Sequence, residues 1–201
     1  MKLAPMFARL VTRAVTHAPP LWRVLRRPMR AQFDRLAPKW DAGRDPRHLQ
    51  PFERALDAVP FAPRRALDLG TGTGDGARAM LARWPEADVI GVDLSPAMVE
   101  LARRKVPEAR FEVADAAALP FPDGYFDLVG LANMIPFWDE LVRVLSPRGA
   151  VVFGASFGSK TPIYVEPVRV RAELGRRGFN EFADFTAGRG TSLLAERGDP
   201  S

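Results

Sequence analysis

Apolar residues recur along the chain in two rhythms, and the change between them falls near residue 65. Leu3, Met6, Phe7, Leu10, Val11 and Val15 repeat at helical spacing, with Arg9 and Arg13 at other positions. Pro19-Pro20 interrupts the pattern. A second amphipathic stretch then runs from Leu21 and Trp22 through Leu25 and Met29 to Phe33 and Leu36. This part predicts two helices packed against a main domain.

From residue 65 short apolar runs alternate with helical segments. Strands are predicted at Arg65–Leu69, Asp88–Val92, Arg110–Ala114, Phe126–Leu131 and Ala150–Phe153. Helices are predicted at Ala77–Trp84, Pro96–Lys105 with Ser95 as N-cap, Pro136–Leu145 and Val165–Arg177. Two last strands, Asn180–Thr186 and Thr191–Glu196, flank Ala187-Gly-Arg-Gly190. Strand–helix alternation predicts an α/β fold, a doubly wound, mainly parallel seven-stranded sheet ending in an antiparallel hairpin. The expected division is a basic helical N-terminal arm and cap over residues 1–60, and a ligand-binding domain over 61–201.

Charge sharpens that division. The net +5 of the 201-residue chain is the balance of +8 over residues 1–64 and −3 over residues 65–201, and residues 1–30 hold seven basic side chains and no acidic one. Such an arm suits packing on the domain, or a peripheral contact with an anionic membrane or a protein. Nucleic acid is not an expected partner, because no aromatic-interleaved motif accompanies the charge. No run approaches the 18 apolar residues of a membrane span. Arg9, Arg13 and Arg23 interrupt any signal-peptide core, although a transit peptide would share the arm's composition. The expected location is the cytoplasm, with the membrane periphery as an extension of it. The absence of cysteine excludes disulfides and thiolate nucleophiles, and two histidines without cysteine speak against a zinc or iron site.

The candidate chemistry lies in Asp68-Leu-Gly-Thr-Gly-Thr-Gly74, between the first predicted strand and helix, where open α/β sheets bind ligands. Gly70, Gly72 and Gly74 allow tight turning and close approach of a ligand to the main chain. Their spacing is not the Gly-x-Gly-x-x-Gly of dinucleotide binders. Asp68 is poorly placed for a pyrophosphate at a helix N-terminus and better suited to an ammonium or sulfonium. Asp93, 21 residues after Gly72, ends the second strand, where a carboxylate accepts hydrogen bonds from a ribose diol.

Residues 66–75, Val89–Met98 and Ala114–Asp127 resemble the class I S-adenosylmethionine-dependent methyltransferases, most of all the ubiquinone/menaquinone-biosynthesis C-methyltransferase branch. Arg143-Val-Leu-Ser-Pro-Arg-Gly-Ala-Val-Val152 is similar to the segment before that family's fifth strand. The resemblance spans residues 33–197 and implies a Rossmann-like domain with S-adenosylmethionine as cofactor. It implies that Gly70, Thr71, Gly72 and Gly74 cradle the methionine moiety and ribose, and that Asp68 holds the loop or reaches the ammonium. It places Asp93 on the ribose hydroxyls, Leu94 and Met98 near the adenine, Asp115 and Ala116 at its edge, and Asn133 beside the methyl group. Trp40, Asp41 and the stretch to Phe52 occupy the capping position. Met134–Phe137 is apolar where many relatives carry a polar residue, and Arg148 replaces a family glycine.

The resemblance implies methyl transfer to a small or lipophilic acceptor by in-line displacement, with alignment and desolvation as the catalytic means. No catalytic base stands out: His48 and His17 are lone histidines. Asp127 reads as structural, and Asp139 and Glu140 as a solvated face or partners of Arg143. A nicotinamide-dependent oxidoreductase and a non-catalytic nucleoside-binding scaffold are the competing readings; the glycine spacing and the missing Tyr-x-x-x-Lys pair oppose the first.

Overall fold

The computed structural model describes residues 3–42, 44, 45 and 47–198, with only the backbone of Leu3 and Ala4. The Leu3 side chain of the predicted stripe, Lys2 of the basic arm, and Gly43 and Pro46 of the capping stretch lie outside the described residues. Seven strands form one sheet: β1 (Arg65–Leu69), β2 (Asp88–Asp93), β3 (Arg110–Val113), β4 (Phe126–Ala132), β5 (Leu145–Ala155), β6 (Glu181–Ala187) and β7 (Gly190–Glu196). Their order is β3-β2-β1-β4-β5-β7-β6. The first five are parallel, and β7 runs antiparallel to both β5 and β6. The predicted α/β sheet with its terminal hairpin is the observed one.

Strand residues alternate between two cores because successive side chains leave opposite faces of a sheet. Ala66, Leu128, Ala150 and Val152 face α3 (Gln50–Leu56), α4 (Asp75–Arg83) and α5 (Pro96–Lys105). Leu67, Leu69, Val129 and Val151 face α6 (Trp138–Val144) and α7 (Pro167–Gly175). Both faces are covered, which explains why β1 and β4 read as near-continuous apolar runs.

Several boundaries depart from expectation. Helix α4 starts at Asp75, ahead of Ala77, because Gly74 takes a left-handed φ of +90° and releases the chain into the helix. Helix α6 begins at Trp138 and β5 extends back to Leu145, with an irregular register opposite Phe126 and Leu128. Helix α3 was not predicted. Its Phe52 is 1% exposed and fits against the sheet because Gly130 leaves room: a Cβ there would stand 2.6 Å from the Phe52 ring. Although α3 lies within the arm's expected span of 1–60, it belongs to the sheet's core.

The arm forms α1 (Leu3–His17) and α2 (Trp22–Leu36), joined by a 3₁₀ turn at Pro19–Leu21. Val11, Val15, Trp22 and Met29 are buried with Ile135, and Leu94, Ala117 and Phe137 of the domain pack on them. The Trp22 and Phe137 rings lie 5.1 Å apart. Asp34 anchors the far end of α2 by accepting from Ser95 Oγ at 2.6 Å. The arm thereby covers the carboxyl ends of the strands.

Candidate active site

The strand order reverses between β2-β1 and β4-β5, so the connections after β1 and β4 diverge and leave a crevice at the carboxyl ends. The loop after β1 fills its floor. Gly70 and Gly72 have φ of +75° and +54°, a region that favours glycine, and the Gly70 and Thr71 amides both donate to the Val92 carbonyl at 2.9 Å. Asp68, 2% exposed, accepts from Thr71 Oγ at 2.5 Å and from the Ala77 amide at 2.7 Å. Its carboxyl ties the loop to the first turn of α4.

Asp93 does the same between β2 and α5. Its two oxygens accept from the Gly72 amide and the Ser95 amide, each at 2.9 Å. Ser95 Oγ accepts from the Met98 amide at 3.2 Å, the N-cap expected from the sequence. Burial pushes both carboxyls up to about 6, against the hydrogen bonds that favour their charged forms. Asp93 keeps some exposure toward the crevice, whereas Asp68 does not.

After β4, Asn133 takes φ +57°, the one non-glycine residue with positive φ among those described. Its amide pairs reciprocally with Ser156, donating to Oγ and accepting from the Ser156 amide, both at 2.9 Å. This brings Asn133 and the chain after β5 to the same rim.

These parts enclose a cavity of about 750 Å³, within the range of small-molecule sites. Asp68, Gly70, Thr71, Gly72, Asp93, Leu94, Met98, Ala116 and Asn133 line it. Gly74 and Asp115, also singled out in the sequence, do not. A Cβ on Gly74 would meet Phe111 and Val106 at 3.2 Å, so this glycine serves helix packing. Asp115 is turned to the arm, where it accepts from Trp22 Nε1 at 2.8 Å and pairs with Arg26 at 3.2 Å. Of the Asp115–Ala116 pair, only Ala116 reaches the cavity.

The arm supplies the opposite wall, mainly with Phe7, Met29, Phe33, Leu36 and Trp40. Trp40 Nε1 is buried without a hydrogen-bond partner among the described residues and lies 3.5 Å from where a Cβ on Gly72 would stand. An unpaired buried donor beside the glycine loop points to a ligand acceptor atom.

A charged cluster that the sequence did not single out lies under this corner. Asp75, 8% exposed, pairs with Lys105 and Arg78 at 2.9 Å and Arg44 at 3.3 Å. His48 approaches it at 3.6 Å and places Nδ1 2.8 Å from the Asp45 carbonyl. The side chain of His48 is 11% exposed and lines the cavity, so it is not the surface residue its isolation in the sequence suggested. Only basic residues clustering near Trp40 hinted at this group; their convergence on Asp75 is a long-range effect.

The remaining acidic candidates are structural. Asp127 accepts from the Arg64 and Arg65 amides at 2.9 and 3.0 Å. Glu140 pairs with Arg143 at 2.7 Å, and Asp139 with Arg177 at 2.6 Å.

Residues 66–149 match the model of a methyltransferase domain. The chain is 44% identical over 139 residues to a demethylmenaquinone methyltransferase of Thermus thermophilus, covering 60% of this chain and 62% of that protein. It is 44% identical over 117 residues to a malonyl-[acyl-carrier protein] O-methyltransferase of Halorhodospira halophila, covering 53% and 39%. The chain thus spans less than two thirds of either relative. A solved structure of a SAM-dependent methyltransferase from Aquifex aeolicus superposes with TM-score 0.67 at 20% identity, covering 82% of this chain and 98% of that one, which establishes the shared fold.

Proposed function

We propose that the chain, whose residues 66–149 match a methyltransferase domain, is a class I S-adenosylmethionine-dependent methyltransferase that methylates a small, apolar acceptor by in-line displacement. The observation that carries this reading is one cavity with two walls: a glycine loop and Asp93 on one side, and apolar arm residues on the other.

The residues present fit S-adenosylmethionine. The loop's positive-φ glycines expose main chain to a ligand, Asp93 keeps an edge toward the cavity, and Trp40 Nε1 offers an unpaired donor. On this reading Asp93 receives ribose hydroxyls, Leu94, Met98 and Ala116 pack against the adenine, and Gly70, Thr71 and Gly72 border the methionine part. Asp68 holds the loop from beneath. Asn133, fixed by Ser156, borders the methyl-donating end.

When bound, the cofactor supplies an activated methyl group on a sulfonium. The protein's task is to align the acceptor behind it and exclude water, and such positioning contributes on the order of 7–11 kcal/mol. Phe7, Met29, Phe33 and Leu36 serve that task as an apolar wall. No side chain here is assigned as a general base. The two relatives named above act, by their names, on demethylmenaquinone and on malonyl-[acyl-carrier protein]. Acceptors so different indicate that the motif region does not choose the acceptor, which leaves the choice to the arm wall. We take residues 1–60 as the arm and cap and 61–201 as the cofactor domain, with α3 of the former seated in the latter's core.

The test is incubation of the full chain with methyl-labelled S-adenosylmethionine and a fractionated cell extract. Label transferred into apolar, organic-extractable compounds is the expected result. Label confined to polar metabolites, or transfer that requires NAD, would refute the proposal.

A further inference from the structure

The arm is apolar on two sides. One side is buried against the domain through Val11, Val15, Trp22 and Met29. The other is in solvent: Met6, Leu10, Leu21 and Val24 are 55%, 60%, 45% and 72% exposed, four of the six large hydrophobics exposed among the described residues. Scattered single hydrophobics on a surface need no explanation, but four within nineteen residues of one helix pair do.

Their charged neighbours say what covers them. Residues 5–30 hold six arginines and no acidic residue. Arg26 and Arg30 are taken up by Asp115 and Asp34, and Arg9 donates to the Lys160 carbonyl. Arg13, Arg23 and Arg27 are exposed and form no ion pair with a described residue. Exposed apolar groups among unpaired cations match an anionic lipid interface, where the apolar groups enter the acyl boundary and the cations meet headgroups. A second copy of this surface would set arginine against arginine, and a nucleic acid would leave the apolar groups in water.

We propose that α1 and the start of α2 dock on an anionic lipid surface, from which the acceptor passes into the cavity. This rests on the apolar acceptor proposed above. Helix α1 serves both sides at once: Phe7 and Ala8 line the cavity, while Met6 and Leu10 face solvent. One helix, about 10 Å across, therefore separates the docked face from the site.

The experiment is flotation of the full chain with vesicles of phosphatidylcholine alone or mixed with phosphatidylglycerol, at low and high salt. Binding to the mixed vesicles, weakened by salt, is expected. Replacing Arg13, Arg23 and Arg27 together by Gln should weaken it about a hundredfold at low salt. A Met6→Ser, Leu10→Ser, Val24→Ser triple variant should weaken it at least about tenfold. Neither variant should change S-adenosylhomocysteine binding, which serves as the check on folding; if one variant misfolds, the other decides. Absence of binding to anionic vesicles, equal binding to neutral ones, or undiminished binding of the arginine variant would overturn the proposal. So would a dimer in solution that the apolar variant dissociates while vesicles go unbound. Failure of vesicle binding with S-adenosylhomocysteine still bound would remove this inference alone, whereas loss of cofactor-product binding in the wild-type chain would remove the methyltransferase reading itself.

Discussion

The two walls of the cavity are built by opposite means. The strand-end wall is polar and local: residues 68–77 and 91–98 are bound to one another by backbone amides donating to Asp68 and Asp93. The arm wall is apolar and remote in sequence, held by side-chain packing and a few long-range bonds, such as Trp22 to Asp115 across 93 residues. A wall that must present main chain to a ligand constrains residue type at fixed spacing, whereas a wall that must merely exclude water accepts any well-packed apolar set. On the proposed function, the first kind serves the cofactor and the second the acceptor.

The sharpest way to separate the walls is to remove the buried support of the polar one. Asp68→Ala leaves Thr71 Oγ and the Ala77 amide without an acceptor, at a cost of about 1–3 kcal/mol for each group. A fall in melting temperature of about 5–20 °C is expected for a chain of this size. Asp68→Asn retains an acceptor oxygen, so a scanning-calorimetry melt should show a smaller loss. Equal losses in the two variants would show that charge matters, not the hydrogen bonds.

The same wall has a pH signature. Burial raises the Asp93 carboxyl from 3.8 to about 6, and hydrogen bonds donated by a ribose favour its charged form. Ligand affinity should therefore rise with pH through about 6, and should be about tenfold weaker near pH ~5 than at neutral pH. Stability runs the other way. The folded chain holds protons on Asp68 and Asp93 that the unfolded chain has lost, so this contribution is full below 3.8 and disappears as pH rises through about 6. Isothermal titrations and thermal melts across that range read both slopes.

On the arm wall the effects should fall on the acceptor. Phe33 lines the cavity and meets Trp40 edge-on at 5.6 Å. Phe33→Ala should raise the acceptor KM about tenfold, as expected for lost apolar contact, with S-adenosylhomocysteine affinity held within about twofold. A variant that loses both equally would dissolve the distinction between the walls. The smallest effect should come from Trp22→Phe, which removes one bond to Asp115 while Arg26 and the Ala117 amide remain. About 1 kcal/mol is expected, a shift of about 2–4 °C in the melt.

Legibility in the sequence follows the same divide. Strand β1 and helix α5 occupy the residues predicted, because β1 is a buried apolar run closed by glycines and α5 has Ser95-Pro96 to start it. Nine of the eleven residues singled out line the cavity. Asp115 escaped because its partners lie in an arm 89 and 93 residues away, which no local pattern encodes. Helix α3 escaped because seven residues carry too few turns for a 3.6-residue period to emerge, although Phe52 and Leu56 are among the most buried side chains. The cationic cluster around Asp75 escaped because its members come from α4, α5 and the loop before α3.

Whether the polar wall holds S-adenosylmethionine through Asp93 is decided by calorimetric titration of S-adenosylhomocysteine. Binding to the full chain in the micromolar range is predicted, with at least about tenfold weakening in a folded Asp93→Ala variant, about 1.4 kcal/mol or more. No heat of binding from folded protein, or stabilisation by NAD and not by S-adenosylhomocysteine, would contradict the account.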